Sequence, residues 1–191
     1  MDCVLRGEID KARGLAGSLQ ADHYPIYVTR LLESAKLYVQ HKYRDFADKC
    51  YGLLASSKAG NLAKRGVAND YGSTKRVRKG PWYADHPSSR KSCCQLSEVV
   101  TEFCCKGLEL DLPVVAWGDD LVRETGQGRW SSRYGDKRAR DAHRLRVNSY
   151  RVLSTRGRGG MVVYVPEESG TESTAAVLVR AGALEFEYAK K

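Results

Sequence analysis

The sequence predicts a three-layer α/β domain with a mainly parallel central sheet and helices on both faces. Short apolar runs such as Val114–Trp117 have the β-branched and aromatic composition of strands that are buried on both sides. These runs alternate with segments of helical spacing, which favours right-handed crossovers onto a parallel sheet. A chain of 191 residues can form one domain with a substantial core but hardly two. We therefore expect a single domain over residues 1–191.

The first third of the chain has alternating helical and strand patterns. Helical periodicity opens the sequence, although glycines weaken it, and two short apolar runs follow, each with a helical segment behind it. In chain order we expect a helix over Leu5–Leu19, a strand over Pro25–Val28, a helix from Leu31 to about Arg44, a strand over Cys50–Ala55 and a helix from about Asn61 to Arg65.

The same alternation continues after residue 92. We expect strands at Val99-Val100, Val114–Trp117 and Met161–Val165, a basic helix from Asp136 to about Leu153, and a terminal helix over Glu172–Tyr188. The inner side of the basic helix is predicted to carry Ala139, Ala142, Leu145, Ser149 and Val152-Leu153. Two polar excursions, at about 66–92 and 121–135, separate these elements.

The first excursion contains two adjacent aromatic residues, Trp82 and Tyr83. Such residues either pin a loop to its own domain, which is the more common case, or stack on a nucleic-acid base. An excursion of this length is predicted to be functional or mobile rather than part of the core. Further along, Asp119-Asp120 ends a strand in the manner of an acidic magnesium site, but we expect these carboxylates to face solvent.

Six cysteines, at positions 3, 50, 93, 94, 104 and 105, do not have the spacing of a zinc site. We expect reduced thiols that pack as small hydrophobic groups, and no bound metal. The apolar runs are too short for a transmembrane helix, and the amino terminus lacks the pattern of a signal peptide. These features predict a cytoplasmic protein without a membrane partner.

The net charge of +9 is unevenly distributed. Residues 129–158 contain ten Lys or Arg against two Asp, and residues 58–91 contain nine against two, which leaves the rest of the chain net negative. Segregated positive charge favours a basic face that meets a polyanion, and nucleic acid is the first candidate. A solvated basic face without a partner gives the same pattern, so charge alone leaves both interpretations open.

The turn Lys106–Glu109 lies between two predicted strands, and a turn of this kind at the end of a buried strand is where open α/β sheets place ligand sites. Gly107 allows a tight turn and a close approach of the backbone to a ligand. This turn, with Thr101 five residues before its lysine, resembles motif V of superfamily-1 helicases of the UvrD/Rep type. The longer pattern from Thr101 to Asp111 is more similar to the Schlafen-type branch of helicase-like ATPases.

A second stretch, Asn148–Arg156 followed by Gly160–Pro166, is similar to motif VI of that family and its following strand. The resemblance implies a RecA-like second helicase domain that completes a nucleotide cleft together with a first RecA-like domain. It also implies an arginine finger at Arg156, which we expect to project beyond the domain edge because a glycine-rich turn follows it. A planar, permanently charged guanidinium suits the charge on a transferring γ-phosphoryl group.

Other residues acquire roles from the same resemblance. Gly107 and Glu109 match positions that approach the γ-phosphate and the nucleotide sugar, although Glu109 could instead pair with a nearby arginine. Thr101 matches a position that contacts the nucleic-acid backbone, and we expect Arg158 to contribute to nucleic-acid affinity. Phe103 stands where UvrD-type enzymes have a histidine, and Gly157 replaces the usual alanine of the family.

The sequence contains no Gly-Lys dipeptide and therefore no Gly-x4-Gly-Lys-Ser/Thr phosphate loop. The motif IV arginine would lie before Met1, so we expect the chain to begin inside the second RecA-like half. ATP and Mg²⁺ are expected only in combination with a first RecA-like domain that carries the phosphate loop, and single-stranded nucleic acid is the expected second partner. The alternatives are a non-catalytic nucleic-acid-binding module with the same fold, and an unrelated α/β domain.

Overall fold

Six parallel strands form the central sheet in this computed structural model, which describes residues 1–125, 128–133, 141–168 and 170–188. The strand order is β3-β2-β4-β7-β1-β8, and every neighbouring pair in this sheet is parallel. The strands are β1 (Ile26–Thr29), β2 (Leu53–Ala55), β3 (Val99–Thr101), β4 (Val114–Ala116), β7 (Met161–Tyr164) and β8 (Leu184–Glu185); a separate antiparallel hairpin pairs β5 (Val122–Arg123) with β6 (Trp130–Ser131). The predicted α/β architecture with a parallel sheet is confirmed.

Helices surround this sheet and connect its strands. They are α1 (Asp2–Leu5), α2 (Ile9–Ala21), α3 (Leu32–Lys42), α4 (Tyr71–Thr74), α5 (Lys79–Ala84), α6 (Ala142–Ser154) and α7 (Glu172–Arg180), with 3-10 turns at Leu62–Arg65 and Cys93–Gln95. None of the helices in the described ranges has both the length and the apolar character needed to cross a lipid bilayer.

The β-branched runs form the centre of the sheet, as their composition predicts. All residues of β2, β3, β4 and β7 are buried, because helices and loops cover both faces of these strands. Because all six strands are parallel, their carboxyl ends lie together on one side of the sheet and their amino ends on the other. We call the side where β2, β3 and β4 end the carboxyl edge, and the side where they begin the amino edge. The two edges carry different groups of polar side chains.

Two predicted helices are interrupted by glycines with positive φ. Gly7, at φ +81°, lies in a turn that separates α1 from α2, so the predicted helix over Leu5–Leu19 is wrong at its start. Gly182, at φ +97°, ends α7, and the amide of Ala183 donates to the carbonyl oxygen of Leu178 as in a Schellman cap. The predicted terminal helix is therefore too long, and its last part is strand β8, paired with β1.

Both excursions predicted as loops contain ordered elements that contribute to the core. Trp82, on α5, is fully buried beside Gly52 and Cys93, so the interpretation that it stacks on a nucleic-acid base is wrong. Trp130, on β6, is also buried, and its indole N–H donates to the carbonyl oxygen of Val4 at 2.9 Å. Each tryptophan pins its excursion to the domain.

The predicted basic helix begins at Ala142 in the structure; residues 134–140 lie outside the described part of the chain. The predicted inner side is correct for Ser149 and Leu153, which are buried, and wrong for Leu145, which is half exposed. Arg146, Val147 and Tyr150 are buried in addition. Arg146 is not part of the predicted inner side, yet its side chain enters a buried polar cluster.

All six cysteines are free thiols. Cys93, Cys94 and Cys105 are buried, and burial raises the pKa of the Cys105 thiol to about 11. The remaining three are partly buried. Packing as small hydrophobic groups agrees with this environment. Within the described residues, the structure contains no group of three or more His, Cys, Asp or Glu side chains that could hold a metal ion.

Candidate functional site

Two candidate motifs that are distant in sequence meet at the amino edge of the sheet. The amide of Leu110 donates to the carbonyl oxygen of Arg156 at 2.7 Å, and the amide of Arg158 donates back to the carbonyl oxygen of Leu110 at 2.7 Å. These bonds hold the Lys106–Glu109 turn beside the segment Arg156–Gly160, which leads into β7. The turn therefore lies where β4 and β7 begin, and the expectation that it occupies the strand end where open α/β sheets place ligands is wrong. We call Gly107, Glu109, Arg156 and Arg158 the amino-edge cluster.

Arg156 is held inside this cluster rather than projecting from it. Its Nε donates to the carbonyl oxygen of Val152 at 3.0 Å, and its Nη1 lies 3.3 Å from the carbonyl oxygen of Leu108 and 3.4 Å from that of Cys105. Its Nη2 donates to the Thr155 hydroxyl at 2.8 Å. The side chain is half buried, so the expectation that it extends beyond the domain edge is wrong for this structure. These four acceptors are all neutral, and no carboxylate among the described residues forms an ion pair with the guanidinium.

Gly107 and Glu109 present accessible groups beside this guanidinium. Gly107 has φ +79°, and a Cβ built there meets no atom within 4 Å, so glycine is required by the left-handed turn and not by crowding. The Glu109 carboxylate accepts from Nε of Arg158 at 2.9 Å, which is the arginine pairing considered as an alternative. Both side chains of this ion pair are more than half exposed, so solvent screens it and its contribution to stability is small.

Thr101 lies apart from the amino-edge cluster, at the carboxyl end of β3, and is only 3% exposed. The Thr101 side chain is therefore almost inaccessible, and it cannot make the predicted contact with the nucleic-acid backbone in this structure. Phe103, two residues further on, is 65% exposed at the same edge. Arg158, the second residue predicted to favour nucleic acid, lies at the opposite edge of the sheet.

A buried polar cluster that the sequence analysis did not identify joins α6 to the carboxyl edge. Asp120 accepts hydrogen bonds from the Ser56 hydroxyl and from the Tyr150 hydroxyl, each at 2.6 Å. Nη1 of Arg146 lies 3.2 Å from the Ser56 hydroxyl, 3.6 Å from Glu102 Oε1 and 3.7 Å from Asp120 Oδ2. We call Ser56, Glu102, Asp120, Arg146 and Tyr150 the carboxyl-edge network.

This network corrects the prediction that Asp119-Asp120 faces solvent, because the two residues are 6% and 0% exposed. Burial raises the pKa of Asp120, whereas the bonds from Ser56 and Tyr150 and the charge of Arg146 act in the opposite direction. The available sequence signal was polar residues after three buried strands: Ser56 and Glu102 follow β2 and β3 directly, and Asp120 comes four residues after the end of β4. Parallel strands bring their carboxyl ends to one edge, which places these side chains together.

A six-stranded parallel sheet with helices around it is an architecture shared by many nucleotide-binding folds. A family model described as "Schlafen group 3, DNA/RNA helicase domain" matches residues 1–167. The chain therefore belongs to the Schlafen group 3 helicase domain family. Comparisons with curated proteins and with solved structures give no match. Membership of this family makes the chain a helicase-like domain with a role related to nucleic acid.

Proposed function

We propose that this chain acts as the second RecA-like half of a nucleic-acid-dependent ATPase and supplies the arginine finger, Arg156. One observation carries the proposal: the Lys106–Glu109 turn and the Arg156 segment, almost fifty residues apart in sequence, are hydrogen-bonded to each other at one edge of the sheet. In this proposal the nucleotide lies between that edge and a first RecA-like domain that carries the phosphate loop.

The amino-edge cluster has the chemistry that such a cleft requires. The backbone N–H of Gly107 would donate to a phosphate oxygen, because Gly107 is exposed to solvent. The Glu109 carboxylate would accept from ribose hydroxyls once it exchanges its weak surface pair with Arg158. The Arg156 guanidinium would exchange neutral carbonyl partners for oxygens of the γ-phosphoryl group, a charge-assisted contact that is stronger.

The phosphate loop and the Mg²⁺ ligands are assigned to the partner domain in this proposal. The sequence contains no Gly-Lys dipeptide, and the described residues bring together no group of side chains suited to a metal. ATP with bound Mg²⁺ supplies the phosphoryl group when both halves are present, whereas the residues of this chain orient it and stabilise its charge. The purified chain alone is accordingly expected to hydrolyse ATP at the background rate.

The decisive experiment supplies a first RecA-like domain of the same family, in trans or by fusion, and measures steady-state ATP turnover. Arg156→Ala is expected to lower turnover on the order of 10³-fold, as loss of an arginine finger does in phosphoryl-transfer enzymes. Arg158→Ala is the matched control, because its guanidinium pairs with Glu109 at the surface of the same cluster. Equal turnover by the two variants, both shown to be folded by thermal melting, would contradict the assignment.

A non-catalytic nucleic-acid-binding module is the second candidate function. It is favoured because Arg156 and Glu109 in the amino-edge cluster already form hydrogen bonds within the chain and do not need a nucleotide to satisfy them. Both candidates predict binding to nucleic acid that weakens steeply as salt is raised, because phosphate contacts release counterions. They differ in their response to ATP: a binding module has the same affinity with and without ATP and the first RecA-like domain, whereas half of an ATPase does not.

A further inference from the structure

Three cysteine thiols from two distant segments meet in one cluster. Cys50 precedes β2, whereas Cys93 and Cys94 begin the 3-10 turn that follows the first excursion. The side chains of Cys50 and Cys93 hydrogen-bond to each other, and Sγ of Cys93 lies 4.0 Å from Sγ of Cys94. We call these three residues the thiol cluster.

The thiol cluster combines one accessible thiol with two buried ones. Cys50 is partly exposed, whereas Cys93 and Cys94 are 1% and 4% exposed. Its geometry does not suit a metal ion, because the described residues contain no group of three or more side chains that could hold one. An accessible cysteine in contact with a second, resolving cysteine is instead the arrangement of redox-reactive sites.

The hydrogen bond within the Cys93-Cys94 pair separates the acidities of its two thiols. The bond from Cys93 stabilises a thiolate at Cys94 and lowers the pKa of Cys94, and the same bond raises the pKa of Cys93. Burial raises the pKa of Cys50. Cys94 is therefore the most acidic thiol of the cluster, and its thiolate is placed to accept the proton of Cys93 when Cys93 reacts.

Backbone hydrogen bonds connect Cys50 to the amino-edge cluster. The amide of Cys50 donates to the Asp111 carboxylate at 2.8 Å, and the amide of Asp111 donates to the carbonyl oxygen of Cys50 at 2.7 Å. Sγ of Cys50 lies 3.7 Å from the carbonyl oxygen of Tyr83, whose hydroxyl donates to the carbonyl oxygen of Glu109 at 2.9 Å. The thiol cluster therefore lies directly behind the turn that carries Glu109.

We propose that the thiol cluster is a modification site for peroxides, at which Cys50 and Cys93 form a reversible disulfide. Cys50 is the residue that a small oxidant reaches, and Cys93 is the cysteine in contact with it. The disulfide links the segment before β2 to the end of the first excursion, and so fastens that excursion behind Glu109. The inference does not depend on the proposed ATPase function.

The reaction has two steps and consumes one molecule of hydrogen peroxide. Cys50 loses its proton to solvent and its sulfur attacks one peroxide oxygen; the O–O bond breaks, and the leaving hydroxide takes up a proton to give water and a sulfenic acid on Cys50. Cys93 then passes its proton to the Cys94 thiolate and attacks the Cys50 sulfur. The S–O bond breaks, and the leaving hydroxide takes the proton from Cys94 to give a second water. Two thiols lose two electrons in total, and the peroxide gains them.

The test treats the whole reduced chain with a few equivalents of hydrogen peroxide, alkylates the remaining thiols and digests the protein with trypsin without reduction. Cleavage after lysine places Cys50 in the peptide 50–58 and both Cys93 and Cys94 in the peptide 92–106. The expected product is a cross-link between these two peptides, which fragmentation assigns to Cys50 and Cys93. Two thiols per chain should be lost, and dithiothreitol should restore both.

Cys104 provides the matched control. It is partly exposed and directly precedes a buried cysteine, Cys105, as in the thiol cluster an accessible thiol adjoins a buried one. Cys50→Ser is expected to abolish the cross-link, and Cys104→Ser is expected to retain it in full. Cys93→Ala should block the second step, so that a sulfenic acid accumulates on Cys50 and reacts with dimedone. Thermal melting of each variant verifies that it is folded.

Several outcomes would overturn the proposal without any variant. A disulfide confined to the peptide 92–106 would assign the reaction to adjacent cysteines and exclude Cys50. Irreversible oxidation of Cys50, with no thiol recovered by dithiothreitol, would show that it has no resolving partner. Equal loss of the cross-link in Cys50→Ser and Cys104→Ser would also contradict it. Each of these results leaves the proposed function untouched, because none of them involves ATP or nucleic acid.

Discussion

Replacing Arg146 by methionine is expected to be among the most destabilising changes of a charged residue in this chain. The Arg146 side chain is 9% exposed and lies near two buried carboxylates, those of Glu102 and Asp120, whose side chains are 6% and 0% exposed. Methionine fills similar volume but leaves both carboxylates without their cation. Breaking a buried ion pair from one side typically costs about 3–5 kcal/mol, a large part of the roughly 5–15 kcal/mol by which native domains are stable.

Urea unfolding measures this cost. With a slope of about 2 kcal/mol per molar urea, the midpoint is expected to fall by about 2 M. Arg151→Met is the control, because Arg151 is on the same helix and pairs with Asp2 at the surface, where an ion pair contributes at most about 1 kcal/mol. Adding Glu102→Gln and Asp120→Asn to the Arg146→Met chain should restore part of the loss. A cost below about 1 kcal/mol, or no recovery in the triple variant, would refute the electrostatic reasoning.

Three further changes test other parts of the structure. Arg156→Lys should restore little of the turnover lost in Arg156→Ala when both halves are assayed, because a lysine cannot reproduce the planar fork of the guanidinium. Burial raises the pKa of Asp120 above its ordinary 3.8, so protonated Asp120 stabilises the fold fully below the pKa of the unfolded chain. This stabilisation is lost as pH rises through the higher pKa of the folded chain. Urea unfolding should therefore show a free energy of unfolding that falls as pH rises from about 4 in the unmodified chain, relative to Asp120→Asn. Gly157→Ala would place a Cβ 2.0 Å from the carbonyl oxygen of Gly160 and is expected to lower the free energy of unfolding by about 1–3 kcal/mol. Gly14→Ala in α2 is the control, because its Cβ has open space and should leave stability unchanged or raise it. Thermal melting of both variants measures the difference.

The elements predicted most accurately from the sequence are the central strands. Val114–Ala116 and Met161–Tyr164 are short runs of apolar or aromatic residues with two adjacent valines each, and all of their residues are buried, which is typical of strands covered on both faces. Strand β8 could not be predicted in the same way. Leu184–Glu185 has only two residues, and it is a strand because β1 offers it an unpaired edge, which is a tertiary property.

The candidate site was predictable to the extent that its residues belong to sequence motifs. Gly107, Glu109 and Arg156 are indeed neighbours, although the roles assigned to them remain predictions. Exposure was not predictable: a motif identifies Thr101 but does not reveal that it is buried, or that Phe103 is the exposed residue beside it. The burial of Arg146 beside Glu102 and Asp120 could not be predicted either, because helical spacing alone treats every arginine as a surface residue.

Helix α6 fixes a distance between the two edges of the sheet. Arg146 is locked at the carboxyl edge by groups that follow three different strands, and Arg156 stands ten residues later at the amino edge. At 1.5 Å per residue, the part of the helix from Arg146 to its end at Ser154 spans about 12 Å, and Arg156 follows two residues later. A single inserted residue between them would rotate Arg156 by about 100° around the helix axis and away from the Lys106–Glu109 turn. Length variation between relatives should therefore be excluded from this segment, even where its side chains differ.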